Sequence, residues 1–433
     1  MLPFIQQTAK PVVKSEIAFK GYNGSQNIKE GDMPYMKNLC SDNAPAASPR
    51  PPRELVASLN DPQSLFSANG RLVYVDGTDF KYDGTTKGTV TAGKKCMVDF
   101  NNNILIFPDK KYYSIVNDIF GDIGTGNYPA AGSCPDIDYA IALNNRVWGC
   151  KDNHIYASAL GNFKDWTTLG TGNADAFAVD VASEGKFVGI SNYLNHVQFF
   201  KTDVMHEQYG DKPSNFQIQQ ALKKGALSHD SICEMGGLLY SLWRDGVNCY
   251  GGGQPMLVSV ELDKTYANGA AATDGRKYYL SLYDGSQWDL VVYDSIYRLG
   301  HREDNLHVIQ FTAIDGVVYA LCADGKLLKF GSGDEQVEWE LYTEVFSEQH
   351  TGRRGYSWVG VRAELERGSS LSVYVKVDDF DWKLIKAHNS IYSRIITVPI
   401  TVPRAEIFQI KIAGKGKAKV HQIDRKFFYG GDS

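Results

Sequence analysis

Residues 65–84 read LFSANGRLVYVDGTDFKYDG, and two features of that stretch decide the fold class. Short runs rich in β-branched and aromatic residues, such as Arg71–Val75, alternate with Asn69-Gly70, Asp76-Gly77 and Asp83-Gly84. Such pairs reach the left-handed φ values that two-residue hairpin turns require. The arrangement returns along the chain. Asp-Gly pairs stand at Asp76, Asp83, Asp245, Asp274, Asp284, Asp315 and Asp324, and Asn-Gly pairs at Asn23, Asn69 and Asn268. Related stretches begin near Cys96, Tyr139, Phe187, Ser231, Tyr278 and Ile309, and their spacings run from about 31 to 48 residues, within the range of propeller blades. One small twisted sheet cannot bury both of its faces, whereas radial stacking of several gives a continuous core with short edges. The reading is therefore all-β: a six- or seven-bladed β-propeller over residues 53–345, with a pair of β-sandwiches as its alternative. Helical periodicity is weak; a short helix is expected over Asn215–Leu222.

The flanks read differently. Residues 1–52 form an N-terminal arm and linker with a strand expected over Glu16–Tyr22. Within them, SDNAPAASPRPP (41–52) suggests an extended surface linker. Residues 334–348 gather Asp334, Glu335, Glu338, Glu340, Glu344 and Glu348, the mark of a solvated edge or boundary. Beyond them WVGVRAEL, LSVYVKV, WKLIKA, RIITVPI, EIFQIKIAG and AKVHQIDRKFFY alternate with period two, which suits a small C-terminal β-sandwich over 346–433.

The chain has 433 residues, 45 Lys and Arg against 50 Asp and Glu, and a net charge of −5, so no basic field draws it to nucleic acid. The 43% hydrophobic content excludes disorder, and no apolar run is long enough for a transmembrane helix. The opening MLPFIQQTAK lacks the pattern of a secretory signal. The seven cysteines are scattered and never spaced C-x-x-C, which points to buried thiols in a reducing compartment.

Motifs that would carry chemistry are sparse. Gly121-Asp-Ile-Gly124-Thr-Gly126 lacks a strand-to-helix setting, and Gly414-Lys415-Gly416-Lys417 is followed by Ala418 where a phosphate loop needs Ser or Thr. His206-Glu207 is an adjacent His–carboxylate pair without a third metal ligand nearby. Asp99, Asp138 and Glu234 fall where innermost propeller strands are expected, the place for the paired carboxylates of glycoside cleavage. Asp284-Gly-Ser-Gln-Trp288 reads as a type I′ hairpin beside a packed Trp. No catalytic, cofactor-binding or metal-binding residue is assigned, and no cofactor is expected. The candidate residues are instead for assembly. Arg404, Lys411, Lys415, Lys417 and Lys419 form a basic face suited to an acidic partner, such as residues 334–348 of a neighbour. The apolar Leu2, Phe4 and Ile5 suit an arm that orders on an adjoining subunit.

Several stretches carry a resemblance. FKGYNGSQNIKEGDMPYMKNLCSDNAPAASPRPPR (19–53), YASALGNFKDW (156–166), YGDKPSNF (209–216) and the terminal block 407–433 resemble the β-propeller structural proteins of bacteriophage tails, of the tail-hub, nozzle or stabilisation type. The resemblance implies a non-enzymatic virion component made in the host bacterial cytoplasm. It would work as a homo-oligomeric, hexamer-like ring that lines or closes the DNA exit channel. Its partners would be other tail, portal and adaptor proteins, with DNA passing through unbound and no membrane insertion. A carbohydrate-binding or carbohydrate-cleaving β-propeller is the alternative.

Overall fold

The computed structural model describes residues 11–348, 352–389, 394–400 and 404–429. Seven four-stranded antiparallel sheets follow one another and form the blades of a β-propeller. Their innermost strands are Pro62–Ala68, Cys96–Phe100, Tyr139–Leu143, Phe187–Tyr193, Cys233–Met235, Asn268–Thr273 and Val308–Ile314. The ring closes because the seventh sheet borrows its outermost strand from the start of the propeller: Arg53–Ser58 pairs antiparallel with Lys326–Phe330. Among the described residues, seven hydrophobic clusters each lie between two neighbouring blades. One joins Val73, Val75 and Phe80 of the first blade to Ile104 and Ile106 of the second. Another joins Leu321 and Leu327 of the seventh to Leu65 and Tyr74 of the first. Seven interfaces for seven blades is the arithmetic of a closed ring.

The repeat is held by turn chemistry more uniform than the sequence displays. Six blades join their first two strands through a two-residue turn with both residues at positive φ: Asn69-Gly70, Asn101-Asn102, Asn144-Asn145, Leu194-Asn195, Gly236-Gly237 and Asp315-Gly316. That is the type I′ geometry whose twist matches the flanking strands. Only the first and last of these are Asn-Gly or Asp-Gly pairs. Conversely, Asn268-Gly269 begins the innermost strand of the sixth blade instead of turning.

Three local expectations are corrected. Asn215–Leu222 is not helical: Pro213–Asn215 makes one 3₁₀ turn, and Gln217–Leu222 is the outer strand of the fourth blade, paired with Met205–Tyr209. Tertiary pairing overrides a weak local preference there. Residues 41–52 are not a surface linker. Leu39–Cys40 pairs with Ser48–Pro49, Ala47 bridges to Val420, and Ser41, Ala46, Ala47, Ser48 and Arg50 are buried. Nor is 334–348 uniformly solvated, since Glu344 and Glu348 are buried.

Two further sheets pack face to face as a β-sandwich. One runs Val12–Glu16, Ala418–Tyr429, Arg354–Leu365, Arg394–Pro399; the other runs Lys383–Asn389, Ser370–Val377, Phe408–Lys415, Glu338–Tyr342, Tyr35–Lys37. Each sheet thus takes an edge strand from the N-terminal segment. That segment is anchored by Glu16, whose Oε1 lies 3.0 Å from Nη1 of the buried Arg425; Arg425 Nε donates to Glu348 at 2.6 Å. Burial pushes the Glu16 carboxyl up to about 9, with a hydrogen bond and charge repulsion from Glu344 adding to the effect. Burial and the neighbouring Glu344 thus both favour the protonated form of Glu16.

Candidate functional site

Strict alternation on the five-stranded sheet fixes what each face presents. Leu371, Val373, Val375, Ile410, Ile412, Trp339, Leu341 and Met36 point inward and are buried. The outward positions are Ser370, Ser372, Tyr374 and Lys376 on one strand, Gln409, Lys411, Ala413 and Lys415 on the next, Glu338, Glu340 and Tyr342 on the third, and Tyr35 and Lys37 on the edge. Register then builds a row, because Tyr35 stands opposite Tyr342, Tyr342 opposite Lys411, and Lys411 opposite Tyr374. Trp382, from the loop after Val377, closes over that row.

The Tyr35 and Tyr342 ring centroids lie 4.5 Å apart, and those of Tyr342 and Trp382 lie 4.8 Å apart. Lys411 Nζ sits 4.9 Å from the Tyr374 ring, 5.4 Å from Tyr342 and 5.9 Å from Trp382, within cation–π reach. It also forms an ion pair with Glu340. Burial works to lower the Lys411 ammonium, and the Glu340 carboxylate more than offsets this, holding it above its ordinary value. Beyond the row the face sinks into an open trough of about 290 Å³ lined by Lys37, Glu338, Glu340, Ser370, Ser372 and Lys415, among others. The arrangement is a solvent-facing aromatic cluster beside a polar trough with charged rims.

The basic residues singled out in the sequence divide between two places. Lys411 and Lys415 lie on this face, where Lys415 Nζ is 3.3 Å from Glu338 Oε1. The acidic stretch 334–348 and the basic strand thus meet within a single chain. Lys417 is 3.5 Å from Glu366 and Lys419 is exposed; both line a cleft of about 990 Å³ against residues 331–337 and the 40–52 segment. Arg404 is exposed at the end of a described segment. Leu2, Phe4 and Ile5 lie outside the described residues. Tyr35, Tyr342, Tyr374 and Trp382 escaped sequence reasoning because they come from four separate strands and loops. The one local signal was the alternation Glu338-Trp-Glu-Leu-Tyr342, which the acidic count obscured.

The propeller axis holds the other candidates. Asp99 and Glu234 sit exposed on the innermost strands of the second and fifth blades, and burial pushes the Asp99 carboxyl up. Asp138 precedes the third innermost strand and lies 3.6 Å from Lys151. The structure gives these three acids no mutual hydrogen bond among the described residues. At the end where the innermost strands begin, side chains reach across the axis. Asp230 forms an ion pair with Lys94 and accepts from Gln310 Nε2 at 3.1 Å, and Gln310 Oε1 accepts from Leu65 N at 2.9 Å. His206 and Glu207 are successive strand residues and so face opposite sides of their sheet; His206 Nε2 pairs instead with Ser183 Oγ at 2.7 Å. The Asp284 turn is not type I′. Of its residues only Gly285 has positive φ, and the Asp284 carboxylate accepts from Ser286 N, Ser286 Oγ and Gln287 N. Trp288 is stacked between Tyr283 and His307, with centroids 5.1 and 3.8 Å away. Burial pushes the thiols of Cys40, Cys96, Cys134, Cys233 and Cys322 up to about 12, away from the thiolate form.

No family model matches this chain, and no curated protein matches it. Solved structures similar to it include the extracellular domain of a putative one-component system from B. thetaiotaomicron, with 10% identity over 88% of this chain and 62% of that one, at a TM-score of 0.48. A putative exported protein from Bacteroides fragilis is 9% identical over 72% of this chain and 98% of its own, TM-score 0.37. An exo-β-1,3-galactanase from Phanerochaete chrysosporium is 11% identical over 86% and 100%, TM-score 0.26. This chain spans about three fifths of the B. thetaiotaomicron structure. All three TM-scores fall below 0.5, so the propeller assignment rests on the sheet topology and the closed set of blade interfaces.

The likeness to phage tail proteins is corrected by these findings. The similar structures are described as bacterial extracellular or exported domains and as a carbohydrate-cleaving enzyme, not as virion components. The tail-hub role, the virion location and the non-enzymatic assignment lose their support with it. The residues that carried the resemblance have a packing explanation. Met33, Met36 and Leu39 fill the sandwich core, while Gly31 and Asn38 take positive φ at turns.

Proposed function

We propose that this chain is a carbohydrate-binding protein that holds glycan on the outer face of the five-stranded sheet. The observation that carries the reading is the clustering of Tyr35, Tyr342, Tyr374 and Trp382 on one solvent-facing surface beside a hydroxyl- and charge-lined trough. Aromatic rings take the apolar C–H face of a sugar, and a few fixed polar groups orient its hydroxyls. Two of the lysines on this face, Lys411 and Lys415, are paired with Glu340 and Glu338 within the chain, while Lys37 and Lys376 make no ion pair among the described residues. A cleaving activity would fall on Asp99 and Glu234, the exposed acids of innermost strands, with Asp99 the better proton donor because its carboxyl is pushed up.

The test is a glycan array read with the wild-type chain and with Trp382→Ala and Tyr374→Ala, each checked for an unchanged melting curve. Retention of oligosaccharides by the wild type, with at least about a tenfold loss in either variant, is the expected result. A wild-type chain that retains no glycan overturns the reading. A hydrolysis screen of the bound glycans with Asp99→Asn decides whether binding leads to cleavage.

A further inference from the structure

The outer face of the five-stranded sheet carries two Lys–Glu pairs. Lys415 stands directly opposite Glu338 in the ladder, with Nζ and Oε1 3.3 Å apart. Lys411 pairs diagonally with Glu340. Three residues separate Lys411 from Lys415 on one strand, which places their Cα atoms about 14 Å apart. Between them the outward positions are Ala413 and, on the next strand, Ser372 and Ser370, so no large side chain fills the gap. The trough lies over these small residues.

The pairing decides which ligands fit. An anionic group lowered into the trough meets Glu338 and Glu340, and a cationic one meets Lys37 and Lys415. A neutral polyol meets, at each end, a donor beside an acceptor. Hydroxyl groups both donate and accept, so two on adjacent carbons satisfy an ammonium and a carboxylate together. The distance between the pairs is the reach of a short oligosaccharide.

We infer that the trough takes a neutral disaccharide or trisaccharide lying along Phe408–Lys415, with vicinal hydroxyls on the Lys411–Glu340 and Lys415–Glu338 pairs and one ring against Tyr374 and Trp382. This rests on the glycan-binding reading and narrows it to an uncharged ligand and to the two pairs as its specificity-determining contacts. Cation–carboxylate pairs at these positions also predict weak dependence on salt, since no net charge is neutralised on binding.

The test is calorimetric titration of the full chain with cellotriose, β-1,4-galactotriose and trigalacturonate, at low and high ionic strength. A neutral trisaccharide should bind at least about tenfold more tightly than trigalacturonate, with little change on adding salt. Lys415→Met and Glu338→Gln should each weaken it about tenfold, the worth of one hydrogen bond to a charged group. Both side chains are more than half exposed, so the fold tolerates the changes. Equal or tighter binding of trigalacturonate, or affinity that falls steeply with salt, overturns the inference. So does full affinity in Lys415→Met and Glu338→Gln when Trp382→Ala has lost it, and the glycan-binding reading then survives alone. If no glycan on the array binds, both fall.

Discussion

Replacing Arg53 by Met should open the propeller at its closure. Arg53 begins the strand that completes the seventh blade, and its side chain is 6% exposed. Its Nη1 donates to Asp304 Oδ2 at 2.6 Å, its Nη2 to Glu303 Oε2 at 2.5 Å, and the guanidinium lies 4.6 Å from the Phe330 ring centroid. Glu303 is itself 5% exposed, and without Arg53 its nearest cation is Arg50 at 3.9 Å. Removing one member of such a buried pair costs about 3–5 kcal/mol, because the remaining charge stays out of water. A large domain loses roughly 2 °C per kcal/mol, so the propeller transition should fall by about 6–10 °C. The penalty should shrink in acid. Burial already pushes the Glu303 carboxyl up, with Arg53 and Arg50 pulling it down, so losing Arg53 raises it further. A carboxyl held above its unfolded value contributes stability that is complete below the unfolded value and lost as pH climbs through the folded one. Arg53→Met should therefore be most damaging in mild alkali, and Arg53→Met/Glu303→Gln should recover part of the loss. Scanning calorimetry at two pH values reads the melting, and amide exchange reads the closing strand. Exchange should quicken first in Arg53–Ser58 and Lys326–Phe330, before the sandwich strands. A variant whose melting and strand protection match the wild type in mild alkali would refute the claim that this contact locks the ring.

Glu16→Gln should flatten the pH dependence of the sandwich. The wild-type stability contributed at Glu16 is complete below about 4.5 and declines toward about 9. The amide carries no charge at any pH and keeps an acceptor for Arg425, so melting of the two proteins should diverge as pH rises; parallel curves would refute the raised Glu16 carboxyl. Leu194→Asn should stabilise the fourth blade by about 1 kcal/mol, because Leu194 is held at φ 49° in a type I′ turn and is exposed, and a lower melting temperature would contradict this. Gly225→Ala should destabilise by at least about 1–3 kcal/mol, since a Cβ there would stand 1.7 Å from the Lys201 carbonyl oxygen; chemical denaturation with an unchanged midpoint would show that the backbone yields freely.

The hairpin repeat was legible in the sequence because it depends on local chemistry. Asn69-Gly70 and Asp315-Gly316 declare their turns, and alternating runs such as Val317–Cys322 declare their strands. Asn101-Asn102, Asn144-Asn145 and Leu194-Asn195 make the same turn without a glycine, since the flanking ladders hold a side-chain-bearing residue at positive φ. The recurring stretches are degenerate, which left six and seven blades both open. The binding face was half legible. Lys411 and Lys415 stood out as basic positions, but Trp382, Tyr374 and Tyr342 lie tens of positions away in the chain and Tyr35 hundreds.

What the sequence determined by itself was the all-β class, a blade-sized repeat and the alternation that gives every strand an inner and an outer side. These follow from turn geometry and a period of two, which act over a few residues. Tertiary structure decided the number of blades, because a ring closes only when its last sheet accepts Arg53–Ser58 across more than 250 residues of chain. It also decided the fate of the charges. Glu338 and Glu340 read as solvated acids until ladder register set them beside Lys415 and Lys411. Register is a relation between strands, and a one-residue slip would have turned Tyr342 and Lys411 into the core.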